Sequence, residues 1–353
     1  MTNIKTREFP EIDFLRFIAI LGVVVFHFTY HRRTLLPYGY LTDIPPFNVG
    51  WAGVQLFFII SGFVVAHTLT KAQNAREFIL KRIIRIYPAL FLILPVVFFC
   101  QRFIPSSIFK EKSTIFNLIG SMTLIPPTLL NQLGLTEFDW LTLVLWTLKV
   151  EMQFYFLCYL LFRFFRFEKL LRFIFILSIS AGLILMLLSR VNSSHTELLV
   201  IFLQGVGLNH LPWFVIGMLF YQKKVFAVKN NYKIIFVTFI AIGLSAKNHF
   251  TIDQLFLLLT VLLFYITVFW TRNNKVVKLR IFQSLGFSSY EMYLIHQGVG
   301  FPILYFFILK FELGTINSFL LMIAIILQLF LISNYVSKLS SKLISNSRAL
   351  LKL

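Results

Sequence analysis

The chain has 353 residues, of which 58% are hydrophobic and only 13% are charged, and its mean hydropathy is +0.82. Soluble domains are about 45–50% apolar and about 25% charged. The composition therefore excludes an ordinary soluble globular protein and indicates a polytopic integral membrane protein. A net charge of +19 would favour a nucleic-acid partner in a soluble chain, so the distribution of the charge along the sequence decides its meaning.

Ten apolar segments are candidate transmembrane helices, which predicts an all-α fold. They lie near residues 13–30, 52–70, 86–100, 141–162, 173–189, 198–221, 234–246, 254–271, 282–309 and 315–336. The connecting segments on one side receive 23 of the 33 Lys and Arg residues, and those on the other side receive 8. By the positive-inside rule both termini are then cytoplasmic, and the charge reports topology rather than a nucleic-acid partner.

The whole chain, residues 1–353, is predicted to be a single membrane-embedded domain with no appended soluble domain. The first apolar run is not followed by a small-x-small cleavage site, so it is kept as a helix. The longest connecting segment, 101–140, is expected outside the cell, with an apolar stretch at 115–125 that dips into or caps the membrane domain. Cys100 and Cys158 lie in apolar runs and indicate neither a disulfide framework nor a metal site.

Arg16 and His27 both lie in the first predicted span, eleven residues apart. At 100° and 1.5 Å per residue, their side chains share one helix face and lie about 16 Å apart along the axis. A cation at the cytoplasmic mouth and a titratable nitrogen deeper on the same face suit a long phosphate-headed donor such as coenzyme A. The alternative is an interfacial arginine and a histidine that hydrogen-bonds to a neighbouring helix.

Glu151 marks a second polar position, within the predicted span 141–162. Glu151 and Tyr155 are four residues apart and share a helix face, whereas Lys149 points about 160° away from Glu151. A buried carboxylate is able to hold or polarise a histidine. The alternative is a structural Lys–Glu pair between helices.

Two other spans carry polar side chains. Tyr290, Tyr293 and His296 recur at every third position of the ninth span, where they either line a cavity or join helices through hydrogen bonds. The small residues around Ser61 lie in the middle of the second span and indicate close helix packing.

Arg82 and Arg85 belong to a basic segment at the predicted cytoplasmic surface of the third span. They either anchor the chain to anionic lipid or bind phosphate groups. The remaining histidines show no ligand spacing, so no metal is expected.

Five segments together resemble the membrane acyltransferase-3 family of acyl-CoA-dependent transferases, in order and over nearly the whole chain. They are Arg16 with His27, Gly53–Phe63 (GVQLFFIISGF), Arg82–Pro88 (RIIRIYP), Trp146–Tyr155 (WTLKVEMQFY) and Ser289–His296 (SYEMYLIH). Two positions depart from the family pattern: Phe17 stands where glycine is frequent, and Gln55 stands where an acidic residue is frequent, so no carboxylate is available there.

This resemblance implies a membrane O-acyltransferase that moves an acyl group, acetyl by default, from cytoplasmic acyl-CoA to a hydroxyl of a lipid-linked or exported glycan such as O-antigen or capsule. Acyl-CoA is then a co-substrate, and no permanently bound cofactor is expected. The implied location is the bacterial inner membrane, with the lipid bilayer, the glycan acceptor and other envelope polysaccharide assembly proteins as candidate partners.

The resemblance also implies roles for individual residues. His27 is the base that takes the proton of the acceptor hydroxyl, or the nucleophile of a covalent acyl-histidine, and Glu151 orients His27 or stabilises its imidazolium. The residues expected to hold the phosphates of acyl-CoA are Arg16, Arg82 and Arg85. The supporting or substrate-binding set is Ser61, Trp146, Gln153, Tyr155, Tyr290, Tyr293 and His296.

Two other functions stay open at this point. The first is acylation of a small molecule such as a macrolide, which would use the same residues. The second is non-enzymatic export of a glycan or polar solute, against which stands the lack of a visible inverted repeat.

Overall fold

The computed structural model describes residues 8–105, 108–127, 134, 138–189, 191, 194–245, 252–270 and 275–350. Within these ranges the chain is helical and contains no β-strand, which confirms the predicted all-α class. The helices are α1 (Pro10–Phe28), α2 (Ala52–Lys71), α3 (Ala75–Phe103), α4 (Ile115–Thr123), α5 (Leu145–Phe162), α6 (Phe167–Leu188), α7 (Ser194–Gly205), α8 (Leu211–Phe226), α9 (Asn231–Ser245), α10 (Ile252–Trp270), α11 (Arg280–Phe287), α12 (Ser289–Ile295), α13 (Phe301–Lys310) and α14 (Thr315–Leu350). A π-helical turn, His296–Gly300, joins α12 to α13.

Seven helical segments of the described chain are long and apolar enough to cross a membrane. They are Pro10–Arg32, Ala52–Lys71, Ala75–Phe103, Phe167–Leu188, Ile252–Trp270, Ser289–Lys310 and Thr315–Ser347. The chain is therefore a multi-pass membrane protein. The count of ten spans and the cytoplasmic placement of both termini stay predictions, and the last residues of the predicted spans 234–246 and 254–271 lie outside the described ranges.

Two of the predicted spans are not continuous α-helices. The segment 198–221 is divided because α7 ends at Gly205 and α8 begins at Leu211. Between them Gly207 has a φ of +79°, a conformation that glycine adopts without steric cost and that ends a right-handed helix. The segment 282–309 is divided by a turn at Ser288 and then by the π-helical turn. Apolar stretches flank both breaks, so the mean hydropathy of each whole segment does not reveal them, although glycines and polar residues lie at the breaks themselves.

The connecting segment 101–140 is only partly described, since residues 106–107, 128–133 and 135–137 lie outside the described ranges. Its predicted apolar stretch forms α4, whose first turn is capped by the Thr114 side chain accepting a hydrogen bond from the Asn117 amide. A threonine at this position satisfies one of the amide donors that a helix N-terminus leaves without a partner.

One compact unit comprises Met1–Gly53, Ile83–Lys149 and Val276–Leu353. In it α1 packs against α11 and α12, and α14 packs against α11, α12 and α13. A Cβ atom added at Gly286 would lie 1.8 Å from the carbonyl oxygen of Asp13, so α11 meets α1 backbone to backbone. This contact fixes the helix that carries Arg16 and His27 against the helix that leads to His296.

The second compact unit comprises Val54–Arg82 and Val150–Lys275. Its centre is α8, buried at every residue from Leu211 to Gln222 and packed against α6, α9 and α10. A Cβ atom added at Gly62 would lie 2.0 Å from the carbonyl oxygen of Phe214, and one at Gly217 would lie 1.9 Å from that of Ile59. These approaches confirm the close helix packing predicted around Ser61. The prediction that residues 1–353 form a single membrane domain stays a prediction.

Candidate active site

His27 and His296 form a pair of imidazoles in the first unit. The His27 Nδ1 atom lies 2.9 Å from the Val23 carbonyl oxygen and 3.2 Å from the Nε2 atom of His296. The two ring centroids are 5.0 Å apart, and the centroid of the His31 ring lies 5.1 Å from that of His27. The structure thus brings together two predicted site residues that are 269 positions apart in the chain.

His296 is held from several directions. Its side chain is 0% exposed, and its Nδ1 atom lies 2.8 Å from the Tyr293 carbonyl oxygen. The Tyr293 hydroxyl accepts a hydrogen bond from Thr147 Oγ1 at 2.8 Å and donates one to the Val144 carbonyl oxygen at 3.3 Å. Tyr293, predicted as a supporting residue, therefore anchors the turn of helix from which His296 projects. His296 opens the π-helical turn, a feature that is frequent at functional sites.

Arg16 lies three residues from a buried acid on the same helix. Its Nη1 atom is 3.1 Å from Asp13 Oδ1, and the Arg16 side chain is 22% exposed against 3% for Asp13. Because α1 is continuous from Pro10 to Phe28, the spacing of about 16 Å along the axis between Arg16 and His27 holds in the structure. Arg16 thus already has Asp13 as its counter-ion, and a phosphate group would have to share Arg16 with Asp13.

Arg85 and Tyr290, both predicted site residues, lie against each other. The Arg85 guanidinium carbon is 5.5 Å from the centroid of the Tyr290 ring, and the Tyr290 hydroxyl donates to the Ile86 carbonyl oxygen at 3.1 Å. An arginine stacked on an aromatic face keeps its in-plane N–H donors for an anion.

Glu291 is a buried acid that sequence reasoning missed. It is 1% exposed, and neither of its carboxylate oxygens has a hydrogen-bond partner among the described residues. Arg85 and then Arg16 are the cations that attract it electrostatically, as expected for a charge removed from water. Its position among Tyr290, Tyr293 and His296 in the ninth predicted span could have indicated that Glu291 belongs to a polar site. Asp13 was missed as well, although its i,i+3 spacing to Arg16 predicts an ion pair.

A second polar cluster lies in the second unit and is built on Glu151. Ser61 Oγ donates to Glu151 Oε1 at 2.6 Å, and the Tyr155 hydroxyl donates to the same oxygen at 2.5 Å. The Ser61 and Tyr155 oxygens are 3.4 Å apart. The shared helix face predicted for Glu151 and Tyr155 is therefore confirmed, and Ser61 joins them from α2. The orienting role of Glu151 toward His27 stays a prediction.

Arg82 adjoins this second cluster. Its guanidinium carbon lies 5.7 Å from the centroid of the Tyr155 ring, and one of its nitrogens donates to Thr68 Oγ1. Two motifs that are separate in the sequence, the basic segment and the Glu151 segment, therefore meet within one unit.

Two predicted residues have other surroundings. Gln153 donates from Nε2 to the Gly205 carbonyl oxygen at 3.0 Å, and a Cβ atom added at Gly207 would lie 2.9 Å from Gln153 Oε1. Gln153 therefore braces the break between α7 and α8. Trp146 is 38% exposed and precedes Thr147, the residue that bonds Tyr293.

Comparison of the chain with known proteins finds a family match. The acyltransferase-3 family, described as an acyltransferase domain, matches residues 9–337. The O-acetyltransferase OatA of Staphylococcus aureus (strain NCTC 8325 / PS 47) is 29% identical over 199 residues, which cover 51% of this chain and 30% of OatA. A provisionally named acetyltransferase of Acidianus two-tailed virus is 24% identical over 307 residues, 84% of each chain.

A provisionally named O-acetyltransferase of Staphylococcus aureus (strain COL) is 29% identical over 159 residues, 43% of this chain and 24% of that protein. The match thus spans about a quarter of the length of this relative. No solved structure matches the chain.

Proposed function

Because the chain belongs to the acyltransferase-3 family, we propose that it is a membrane O-acetyltransferase that transfers acetyl from acetyl-CoA to a hydroxyl of a glycan. The observation that carries this proposal is the contact between His27 of the first predicted span and His296 of the ninth, in which hydrogen bonds occupy one nitrogen of His27. The names of two Staphylococcus aureus relatives as O-acetyltransferases support acetyl as the group transferred.

The reaction needs one base that takes the proton of the acceptor hydroxyl and then gives it to the leaving CoA thiolate. His27 removes the proton of the acceptor hydroxyl while the hydroxyl oxygen attacks the thioester carbonyl carbon. The carbon–sulfur bond then breaks, and the CoA thiolate takes the proton back from His27, so the ester and free CoA form with no net proton change. The competing route forms an acyl-imidazole on His27 before the acceptor attacks. Both routes need a neutral His27 at the start.

The donor is held by arginines in this proposal. Arg16, Arg82 and Arg85 bind the phosphate groups of acetyl-CoA through charge-assisted hydrogen bonds. The stacking of Arg85 on Tyr290 supports this role, because it orients the guanidinium without occupying its N–H donors. The Asp13 carboxylate orients Arg16 differently, because it accepts a hydrogen bond from Arg16 Nη1.

Glu151, Ser61 and Tyr155 support the reaction as a preformed hydrogen-bonding cluster. Glu151 orients His27 or stabilises its imidazolium, and the two hydroxyls that donate to Glu151 fix the direction of its carboxylate. Tyr155 and Tyr290 are the candidates for hydrogen bonds to the developing oxyanion or to the sugar.

The acceptor is a lipid-linked or exported surface polysaccharide such as O-antigen or capsule, and the protein acts in the bacterial inner membrane. Envelope polysaccharide assembly proteins are its proposed partners. The multi-pass helical structure supports a reaction at the membrane, where a cytoplasmic thioester and an exported glycan are both accessible.

Membrane vesicles supplied with acetyl-labelled acetyl-CoA test the proposal. Wild-type vesicles are expected to release free CoA and to carry label in the extracted glycan fraction. His27→Ala vesicles with equal amounts of protein are expected to do neither. His210→Gln is the matched control, since this histidine packs its ring 5.3 Å from Phe58 in the second unit and is expected to leave transfer unchanged.

Each alternative has its own outcome in the same assay. Label recovered in a small molecule instead of glycan would overturn the acceptor assignment and support small-molecule acylation. Wild-type vesicles that neither release CoA nor label any acceptor would contradict the enzymatic proposal and favour an exporter.

A further inference from the structure

The hydrogen bonds around His296 define which of its nitrogens carries a proton. Its Nδ1 atom faces the carbonyl oxygen of Tyr293 at 2.8 Å, and a carbonyl oxygen only accepts. His296 Nδ1 is therefore the protonated nitrogen, and in the neutral ring His296 Nε2 is left as an acceptor. That acceptor lies 3.2 Å from His27 Nδ1.

The contacts of His27 define its protonated nitrogen in the same way. His27 Nδ1 faces two acceptors, the Val23 carbonyl oxygen at 2.9 Å and His296 Nε2 at 3.2 Å. With two acceptors aimed at it, Nδ1 carries the His27 proton, and His27 Nε2 has the lone pair. Which nitrogen of a histidine is basic is set by the hydrogen bond that its other nitrogen makes.

We infer that His296 is a positioning residue for His27: it fixes the Nδ1–H tautomer and the ring orientation, so that Nε2 of His27 is the atom that takes the acceptor proton. This inference rests on the proposed function. When His27 becomes an imidazolium during the reaction, its Nδ1–H stays bonded to Val23 and His296, so charge develops on a ring that is already held in place.

The local backbone keeps His296 in this position. The π-helical turn His296–Gly300 begins at His296 itself, and its glycines allow close packing. A Cβ atom added at Gly298 would lie 2.4 Å from a Val97 methyl carbon, and one at Gly300 would lie 2.7 Å from the Phe28 ring. Phe28 follows His27 directly, so the turn is seated against the same end of α1 that carries the base.

Isosteric substitutions of His296 separate this role from packing. In His296→Gln the side-chain amide oxygen reaches the position of Nε2 and accepts from His27. In His296→Asn the amide lies at the position of Nδ1, bonds Tyr293 and does not reach His27. We expect the glutamine variant to keep kcat within about threefold of wild type, and the asparagine and alanine variants to lose about 10- to 100-fold, the usual effect of removing a partner that orients a histidine. The KM for acetyl-CoA is expected to stay within about twofold in all three, because the proposed phosphate-binding arginines are unchanged.

The readout that does not depend on activity is the tautomer of His27. The tautomer is measured by nitrogen NMR of protein labelled with ¹⁵N-histidine. The two ring-nitrogen signals of His27 are identified because they are lost in His27→Gln. We expect these signals to show His27 protonated at Nδ1 in wild type and in His296→Gln. In His296→Asn a mixture of tautomers is expected.

An asparagine variant as active as the glutamine variant, or a wild-type His27 protonated at Nε2, would overturn the inference. A wild-type protein that transfers no acetyl group would contradict the proposed function instead, and the NMR result would still decide the tautomer.

Discussion

The two polar clusters of this protein satisfy buried groups in different ways. In the first unit, the imidazoles of His27 and His296 contact backbone carbonyl oxygens and each other. In the second unit a single carboxylate oxygen of Glu151 accepts from two hydroxyls, those of Ser61 and Tyr155. The first arrangement holds one nitrogen of a base in place, whereas the second holds an acceptor oxygen with two donors. This contrast supports the proposed roles, with proton transfer at His27 and orientation or charge support at Glu151.

Loss of the proposed donor site is expected to have the largest effect after removal of His27. Arg85→Ala removes the guanidinium that stacks on Tyr290, and we expect the KM for acetyl-CoA to rise about 10- to 100-fold, since a hydrogen bond to a charged group contributes about 1.5–3 kcal/mol. Arg85→Lys should recover only part of this, because lysine lacks the planar set of donors. Initial rates over a range of acetyl-CoA concentrations measure the effect. An unchanged KM in the alanine variant would remove Arg85 from the donor site.

Much of the fold was predictable, because long apolar runs with few charges have no other stable form in lipid than helices. The break between Gly205 and Leu211 was missed because its glycines, Asn209 and His210 form only a short interruption between two apolar stretches. The positive φ of Gly207 marks the break in the structure. The i,i+4 contact of Glu151 with Tyr155 followed from helical periodicity. The contacts of His27 with His296, and of Ser61 with Glu151, depend on which helices pack together, and spacing within one helix carries no such information.

Glu151→Gln tests the supporting role of the second cluster. The amide keeps the shape of the side chain but gives the Ser61 and Tyr155 hydroxyls a weaker acceptor than a carboxylate. We expect a loss of about tenfold in kcat, smaller than the loss from removing a base. Free-CoA release by equal amounts of purified protein measures it. If Glu151→Gln lost as much activity as His27→Ala, the division of roles between the clusters would be wrong.

The smallest effect is a difference in stability between two tyrosines. Tyr155→Phe removes a hydroxyl that donates to a carboxylate, with an expected cost of about 1.5–3 kcal/mol in the free energy of unfolding. Tyr293→Phe removes a hydroxyl that bonds to Thr147 Oγ1 and to the Val144 carbonyl oxygen, which are both neutral, with an expected cost of about 0.5–1.5 kcal/mol. Denaturation of both variants in the same detergent gives the two values. A larger loss for Tyr293→Phe would contradict the contrast between a charged and a neutral acceptor.

The most direct test of the central claim is the kinetic effect of His27→Ala, measured as CoA release and glycan labelling by equal amounts of folded protein. We expect kcat to fall by about 100- to 10,000-fold, the usual contribution of a general base, and the KM for acetyl-CoA to stay close to that of wild type. A variant that keeps kcat within about threefold of wild type would contradict the assignment of His27 as the base.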